Sequence, residues 1–499
     1  MLEVNPYQYL RELTDKYSDA DEGPTSLVSA LKEELEKEQW HQSVGIPSIP
    51  EEKRPGTRAR YLSELAARVT ESGRLLITEE TDQPFAYCET LGCYRPVRKL
   101  QAYLNSFFQP EVAASIPVRE YRDICERLTW EPKTRCTFDE LNPYPDWVNL
   151  SNGVYNLVTG ELVEHSKDFR FNYCINAEYL SDWNPECEGD SSCEAFNKFC
   201  QSSLENDPLK RRLLLEFIGY ICSDQTEGKC ALFLKGLPDS GKSVVSKFAA
   251  QLFDPNLVSN VFLHELGDKF LRAELVGRKL NVAGEIAGKP LSDISQFKSV
   301  TGGDRVEGQF KHKDPFYFSP KCKLLFAGNT LPLTTDADAT AAYANRLRVL
   351  LFNSSVKPEE QDKDLLKKLW DERNCIVTMA LHAVRELIER NYKFTEPADS
   401  REFLASFALR GNVIGSFLDE CCILSPKAKV FNTDLCAAFE QFCHRNGLEP
   451  MTRNRFYALL SGIPHVFAKR LRIGNENRQG HSGITLKDPF RSGTLEQKS

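Results

Sequence analysis

One short stretch constrains the fold of this chain more than any other. An apolar run over residues 231–234 is followed by Gly236-x-x-x-x-Gly241-Lys242-Ser243 and then by a segment with helical character. The order of strand, glycine-rich loop and helix is the context that a phosphate-binding loop requires. It predicts that backbone N–H groups converge on phosphate oxygens, with the positive end of a helix dipole behind them. We therefore expect the chain to bind a nucleotide.

Single residues of this loop have predicted roles. Lys242 is placed to reach the β- and γ-phosphates, and Ser243 is placed to bind Mg²⁺. The alternative is a chance glycine-rich turn without a ligand. We expect ATP with Mg²⁺ as the cofactors, and a binding loop that consists of Gly236, Pro238, Asp239, Ser240, Gly241, Lys242, Ser243 and Val244.

Composition limits the other classes to which the chain could belong. Its 499 residues suffice for two to four domains, and 41% hydrophobic residues suffice for their cores. A net charge of −8 argues against a uniformly basic nucleic-acid-binding protein, so a nucleic-acid surface must be local or must form on assembly. The chain has neither a run of 18 apolar residues nor a secretory signal, which predicts a cytoplasmic protein without a membrane partner.

The sixteen cysteines are expected to be free thiols in a reducing compartment. One group, formed by Cys174, Cys187, Cys193 and Cys200, is dense enough to consider as a metal site. Its spacings are not those of zinc ligands, and no CxxC pair accompanies it. A metal site there is the minority hypothesis.

Helical and strand-like segments alternate on both sides of the loop. Residues 194–204 and 209–220 are predicted as helices, and residues 280–285 and 323–328 are predicted as strands. This alternation predicts an α/β fold with a largely parallel sheet and flanking helices. Upstream, Asn152-Gly153 and Thr159-Gly160 are typical of hairpin turns between short apolar runs.

An ATPase needs more than a phosphate-binding loop. It needs a carboxylate, a polar group near the γ-phosphate and usually a positive charge for the transition state. Glu285 and Asn329 each follow a predicted strand, and we expect Glu285 to activate water and to help bind the metal. Arg346 and Arg348 precede another strand. They are either solvated charges or an arginine finger for a neighbouring subunit, which elsewhere accelerates hydrolysis by ~10³–10⁵-fold.

A short basic segment lies between these candidates. Lys311, His312 and Lys313 stand between apolar flanks, which predicts the tip of a hairpin. Taken alone, three basic residues are more typical of a solvated turn.

Together, these motifs resemble the superfamily 3 helicases, and most closely the helicase half of phage, plasmid and poxvirus primase-helicases. The resemblance covers roughly residues 90 to 490 and depends on the combined motifs. The motifs are the phosphate-binding loop, the strand ending at Glu285, Thr301-Gly-Gly-Asp304, the basic hairpin, Gly328-Asn329-Thr-Leu-Pro332 and Arg346-Leu-Arg348.

The resemblance implies an AAA+ P-loop ATPase core that assembles as a ring, commonly a homo-hexamer. Lys242 would belong to Walker A, Glu285 would be the Walker B acid, Asn329 sensor 1 and Arg346 the arginine finger. Lys311, His312 and Lys313 would lie on a hairpin that grips single-stranded DNA in the central channel. Gly284 stands where many relatives have a second acid. We expect no priming activity, since the motifs of this sequence do not include those of the primase-polymerase domain of larger relatives.

The C-terminal part has a different pattern. Two predicted helices, at 433–446 and 451–461, precede two predicted strands, at 466–473 and 483–486. Helix, helix and hairpin together resemble a winged helix, which binds DNA or, alternatively, only packs against protein. Positive charge is concentrated there in an acidic chain, and the expected DNA contacts are Arg453, Arg455, Lys469 and Arg470.

These inferences combine into one hypothesis with five regions. Residues 1–72 form a helical N-terminal arm, 73–192 an N-terminal α/β domain, 193–395 the superfamily 3 AAA+ ATPase domain, 396–490 the winged-helix domain, and 491–499 a tail. The expected function is an ATP-dependent DNA helicase in the replication of a mobile element. Its partners would be single-stranded and forked DNA, other copies of the chain, and a separate primase or polymerase.

Two other classes remain as alternatives. One is an AAA+ initiator or loader that remodels protein–DNA complexes without processive unwinding. The other is a small-molecule kinase that uses the same loop. The basic hairpin favours the helicase over the initiator, and the Thr-Gly-Gly-Asp and Gly-Asn-x-x-Pro segments argue against the kinase.

Overall fold

A computed structural model describes residues 66–67, 69–105, 118–183, 193–284, 291, 294–332, 337–356, 359, 361–411, 413–445, 450–473 and 476–487. Most of the predicted N-terminal arm and the C-terminal tail lie outside these residues, as does Glu285. No helix within the described ranges is both long and apolar enough to cross a membrane.

The first unit is a small α/β layer. Its elements are β1 (Leu75–Thr78), β2 (Pro84–Cys88), β3 (Cys93–Pro96), α1 (Leu100–Asn105), α2 (Val118–Trp130) and β4 (Arg135–Cys136). The strands form one sheet in the order β3-β2-β1-β4, with β4 parallel to β1. Apolar residues of α2, among them Ile124 and Leu128, are buried against Leu75 and Ile77 of β1.

A three-stranded meander follows. It consists of β5 (Trp147–Leu150), β6 (Gly153–Asn156) and β7 (Leu162–Val163). Both predicted hairpin turns are present, and Gly153 has a φ of 150°, a conformation that favours glycine. Val148 and Tyr155 of the meander are fully buried in the same core as the helices that precede the phosphate-binding loop.

Those helices are α3 (Glu194–Ser203) and α4 (Pro208–Cys222). The start of α4 follows from its sequence. Asp207 Oδ1 accepts a hydrogen bond from Leu209 N at 2.8 Å, and Pro208 occupies the first helical position. Asp207 and Pro208 therefore fix the N-terminal end of α4, close to the start predicted at residue 209.

The central unit contains a five-stranded parallel sheet. Its elements are β8 (Ala231–Gly236), α5 (Lys242–Gln251), β9 (Val258–Ser259), α6 (Lys269–Arg272), β10 (Leu280–Ala283), α7 (Ser295–Gly302), β11 (Val306–Gly308), β12 (Phe316–Phe318), β13 (Lys323–Gly328), α8 (Ala337–Ala344) and β14 (Leu347–Phe352). The order is β14-β8-β13-β10-β9 and all neighbours are parallel, while β11 and β12 form a separate antiparallel pair.

Burial on both faces explains why the strands of this sheet are apolar throughout. Leu232 and Leu234 of β8 point into one core, with residues of α4 and α10 (Arg373–Glu389). Ala231 and Phe233 point into a second core on the opposite face. A parallel sheet with both faces covered requires continuous hydrophobic strands. The predicted α/β class with a parallel sheet is confirmed.

The remaining elements follow the sheet in the chain. They are α9 (Leu365–Asp371), α10, α11 (Ala398–Gly411), α12 (Val413–Cys421), β15 (Cys422–Phe431), α13 (Asn432–Arg445), α14 (Arg453–Ser461), β16 (Phe467–Ile473) and β17 (Glu476–Leu486). The last three strands pair in the order β15-β17-β16. They and helices α12 to α14 enclose a core of stacked aromatic rings, in which Phe439 and Phe456 have centroids 4.3 Å apart.

Candidate nucleotide site

The glycine-rich loop has the geometry of a phosphate-binding loop. It leaves the carboxyl end of β8 at Gly236, and α5 begins at Lys242. A Cβ atom on Gly236 would lie 2.2 Å from the carbonyl oxygen of Phe352 on the neighbouring strand β14. Gly241 has a φ of 102°, and a Cβ there would lie 2.7 Å from Ser203 Oγ. Both positions therefore require glycine.

The position of the loop in the sheet is that of a ligand site. After β8 the chain adds β9, β10 and β13 on one side, and then adds β14 on the other side. In open α/β sheets, ligands bind outside the carboxyl ends of the strands where the strand order reverses. The loop lies at this reversal, with the N-terminus of α5 directed at it.

Lys242 is held close to the loop backbone. Its Nζ donates to Gly236 O at 2.9 Å, to Leu237 O, and to Ser240 Oγ at 3.3 Å. Burial, together with the like charge of Lys235, lowers the pKa of Lys242. Ser243 follows in the first turn of α5 and is exposed, so its hydroxyl is accessible to a metal-bound nucleotide.

A cavity of about 450 Å³ opens beside the loop. The loop contributes Asp239, Ser240, Gly241, Lys242, Ser243 and Val244 to its lining. Two further segments that the sequence did not indicate complete it: Lys198, Phe199, Ser202 and Ser203 of α3, and Val356, Gln361, Asp362 and Leu365 before and in α9. Phe199, Val356 and Leu365 provide apolar surface, while polar groups come from the loop and from both further segments.

Asn329 lies next to the loop. It follows β13, which is hydrogen-bonded to β8 in a register that pairs Gly328 with Lys235. Asn329 is exposed and lies one residue beyond this pair, at the same edge of the sheet as Gly236. The structure thus brings the predicted sensor residue beside the predicted phosphate-binding residues.

Glu285 cannot be placed in the same way. The described part of β10 ends at Ala283, and Gly284 is exposed beyond it. Strand β10 is separated from β8 by β13, and Glu285 itself lies outside the described residues. The role of Glu285 stays a prediction.

Arg346 lies at the amino ends of the strands, whereas the loop lies at their carboxyl ends. It directly precedes β14, and its carbonyl oxygen accepts a hydrogen bond from Ala231 N, the first residue of β8, at 2.9 Å. The length of β8 separates it from the loop, which corresponds to about 17 Å at ~3.3 Å per residue. Its Nη1 donates to Thr301 Oγ1 at 3.1 Å. Arg346 is therefore not part of the nucleotide site of its own chain.

The predicted basic tip is present as a hairpin. Strands β11 and β12 pair antiparallel, with Val306 opposite Phe318, and Lys311, His312 and Lys313 are all exposed between them. The rings of Phe310 and Phe316 stack at 5.3 Å beneath the tip. Exposed charges on an apolar base leave the tip free for a polyanion.

The C-terminal candidates are also exposed. Arg453 and Arg455 lie in the first turn of α14, where Arg453 pairs with Glu440 at 3.5 Å. Lys469 and Arg470 lie on β16, opposite Gly480 and Gln479 of β17. Neighbouring residues of a strand point to opposite faces, so the β16–β17 hairpin presents positive charge on both.

The cysteines differ from the expectation of free thiols. Cys193 and Cys375 form a disulfide, because the start of α3 and the first turn of α10 lie side by side with their Cα atoms 6.7 Å apart. Cys174 and Cys200 are buried free thiols, and Cys187 lies outside the described residues. Within the described ranges, no group of three or more ligating side chains could hold a metal ion.

Fold and loop together are compatible with the P-loop class of proteins. Comparisons with known proteins indicate which members of this class the chain resembles. Residues 115–205 match the family described as "D5 N terminal like", and residues 234–346 match a family of unknown function, DUF5906. A curated relative is "Putative helicase L207/L206" of Acanthamoeba polyphaga mimivirus, 24% identical over 253 residues. The match covers 49% of this chain and 25% of the relative, so the chain spans about a quarter of that protein.

Among solved structures, two apo forms of the NrS-1 C-terminal region are similar. Each covers 84% of this chain and 98% of the matched chain, with a TM-score of 0.45 and 10–11% identity. The resemblance to phage and viral primase-helicases predicted from the motifs is confirmed by the "D5 N terminal like" match and the mimivirus relative.

Proposed function

We propose that this protein is an ATP-dependent DNA helicase of superfamily 3, which translocates on single-stranded DNA as a ring during replication of a phage, plasmid or other mobile element. One observation carries the proposal. A glycine-rich loop with Lys242 faces a cavity at the strand-order reversal of a parallel sheet, and Asn329 lies at the end of the adjacent strand.

The lining of the cavity suits ATP. A volume of about 450 Å³ falls within the usual range for ligand pockets. Phe199, Val356 and Leu365 offer apolar contact to a base, while Lys242 and the N-terminus of α5 offer charge and N–H donors to phosphates. Ser243 and Glu285 would hold Mg²⁺, which would neutralise charge on the phosphates. Asn329 would orient the γ-phosphate.

The place of Arg346 supports assembly into a ring. Since it lies about one strand length from the loop of its own chain, the nucleotide that it could reach is on a neighbouring copy. A guanidinium supplied in this way would stabilise the charge of the transition state. We propose a homo-hexamer, the common state of the family that the sequence resembles.

Two exposed basic regions would contact DNA. The hairpin tip with Lys311, His312 and Lys313 would grip the single strand, and the C-terminal unit would act as a winged helix on DNA.

We propose one change to the predicted domain limits, at the boundary between the ATPase domain and the C-terminal domain. Phe407 of α11 is buried in the core of the parallel sheet, which supports a boundary after residue 411 instead of at 395.

The proposal is tested with Lys242→Ala in the full-length chain. We expect hydrolysis of ATP in the presence of single-stranded DNA to fall about 100-fold or more, because the phosphates lose their positive contact. Strand displacement should be lost with it. Lys247→Ala is the matched control, since Lys247 is an exposed lysine on the same helix.

The same assays separate the alternatives. An initiator or loader would hydrolyse ATP with DNA but would not displace a strand from a fork. A small-molecule kinase would show no stimulation by DNA. Full hydrolysis by the Lys242→Ala variant would contradict the proposed site.

A further inference from the structure

An ionic cluster around one buried lysine joins segments that also contribute to the nucleotide cavity. Lys210, in the first turn of α4, is only 1% exposed. Its Nζ lies 2.5 Å from Glu205 Oε2 and 2.8 Å from Asp399 Oδ2. Asn353 Nδ2 donates to the same two oxygens, at 3.1 Å and 3.0 Å. These four residues are called the Lys210 cluster.

Each carboxylate of the cluster stays ionised in spite of partial burial. Burial opposes the charge of Asp399, but the hydrogen bond and charge of Lys210, with hydrogen bonds from Asn353 and Ser400 N, together outweigh burial and lower the pKa of Asp399. Burial likewise opposes the charge of Lys210, while its hydrogen bonds to Asp399 and Glu205 raise its pKa. One buried cation is therefore shared by two partly exposed anions, and moving either anion away costs the buried lysine one of its two ion pairs.

The cluster joins three segments, and two of them border the phosphate-binding loop. The first is the end of α3, where Ser203 and Phe199 pack against Gly241, two residues before Glu205. The second follows Asn353, where Ser355 Oγ donates to Pro238 O at 2.8 Å and Val356 N donates to Asp239 O at 3.1 Å.

The third segment is α11, which carries Asp399 in its first turn. The ring of Phe403, one turn further, lies 4.9 Å from Lys235 Nζ, at the end of strand β8. Helix α11 ends at Gly411 and α12 starts at Val413, where the aromatic core of the C-terminal unit begins. Helix α11 is thus in contact with the loop strand and is next in the chain to the C-terminal unit.

We propose that the Lys210 cluster transmits nucleotide occupancy of the loop to α11 and hence to the C-terminal unit. This rests on the proposed function. The cluster acts as a positioning device, because a displacement of α3 or of the segment after β14 by a bound nucleotide moves Glu205 or Asn353. Asp399 must follow them to keep its ion pair with Lys210. The cluster gives the two sites a shared two-state element, as coupling between sites requires.

The test is amide hydrogen exchange of the full chain with and without a non-hydrolysable ATP analogue. In the wild type, we expect the nucleotide to slow exchange in both the loop region and residues 398–411. In Asp399→Asn, which keeps the shape but removes a charge, the loop should still be protected, with affinity weakened about 5- to 10-fold. The protection of residues 398–411 should be lost.

Two further variants separate coupling from general destabilisation. Glu216→Gln removes a more deeply buried carboxylate, on α4, which bonds Arg212, Arg390 and Thr395 outside the cavity lining. It should keep the protection of 398–411. Asn353→Ala alters an exposed residue, so it should fold, and it should weaken the protection as Asp399→Asn does.

The outcomes distinguish this inference from the proposed function. Binding of the analogue with unchanged protection of 398–411 in Asp399→Asn and Asn353→Ala would overturn the inference and leave the nucleotide site intact. Glu216→Gln would also overturn the inference if it lost the protection of residues 398–411 to the same extent as Asp399→Asn. A wild-type chain that does not bind the analogue would refute the proposed function, and the inference with it.

Discussion

Lys323, at the start of β13, is enclosed by protein on all sides. Its Nζ donates to Lys321 O at 2.8 Å and lies 4.8 Å from the centroid of the Tyr220 ring. Burial, and after it the positive charge of Lys279, lowers the pKa of Lys323 to about 7. The unfolded chain therefore binds a proton at this lysine over a pH range in which the folded chain does not. Stability is expected to rise with pH between about 7 and 10.5 on account of this residue.

Lys323→Met should remove this dependence. We expect the variant to have a higher free energy of unfolding than the wild type at pH 7. Because the wild type gains ~1.36 kcal/mol per pH unit as the pH rises, the difference between the two should shrink by about 3 kcal/mol by pH 10. Urea unfolding at both pH values measures the difference, and Lys247→Met controls for alkaline effects on an exposed lysine. A constant difference between the two pH values would contradict the lowered pKa of Lys323.

At the residue scale, the sequence predicted only those site residues that belong to a local motif. Lys242, Gly241 and Asn329 were predicted because a motif of adjacent residues places them at strand ends. Phe199 and Asp399 gave no such signal, because they reach the loop region through tertiary packing across about 40 and 160 residues. The same limit applies to the disulfide between Cys193 and Cys375, which are 182 residues apart.

At the scale of elements, substitutions at the tip of the β11–β12 hairpin test whether this hairpin contacts DNA. Its basic tip is exposed on a stacked aromatic base, so substitutions at the tip should leave the fold intact. We expect Lys311→Ala with His312→Ala to reduce strand displacement at least about tenfold while basal ATP hydrolysis stays within twofold, because the tip is not in the cavity lining.

Asp314→Ala provides the matched control, since it removes an exposed charge of the opposite sign from the same tip. It should leave displacement unchanged or slightly improved. Displacement at the wild-type rate by the double variant would exclude the tip from DNA contact.

Long periodic helices and four of the five strands of the parallel sheet (β8, β10, β13 and β14) were predictable, whereas several short or interrupted strands were not. Strand β3 has four residues and two of them are exposed, so its pattern is weak. Strand β15 was missed because Ser425-Pro426 interrupts it, and its pairing with β17 shifts register between Leu424 and Lys429. Proline is tolerated there because β15 is an edge strand with an irregularity.

At the scale of the whole molecule, the separation of Arg346 from the loop predicts complementation between chains. Neither Arg346→Ala nor Lys242→Ala should hydrolyse ATP alone. Mixtures should recover activity, because an interface can combine an intact loop from one chain with an intact arginine from the other. Hydrolysis measured across mixing ratios, with assembly followed by light scattering, tests this expectation.

Thr301→Val is the control, since Arg346 Nη1 donates to Thr301 Oγ1 within the chain. If Arg346 acts on a neighbouring nucleotide, Thr301→Val should retain hydrolysis. If Thr301→Val loses as much ATP hydrolysis as Arg346→Ala, and no mixture of Arg346→Ala with Lys242→Ala recovers it, Arg346 acts inside its own chain.

The loop and Arg346 lie at opposite ends of the strands of one sheet. If Arg346 acts on a neighbouring nucleotide, every chain carries half of a hydrolytic site at each of these ends. In an open row of n chains, the two terminal halves stay unmatched and only n − 1 sites are complete, whereas closure completes all n. Hydrolysis per chain would then report ring closure, and its rise with protein concentration would show where open rows give way to closed ones.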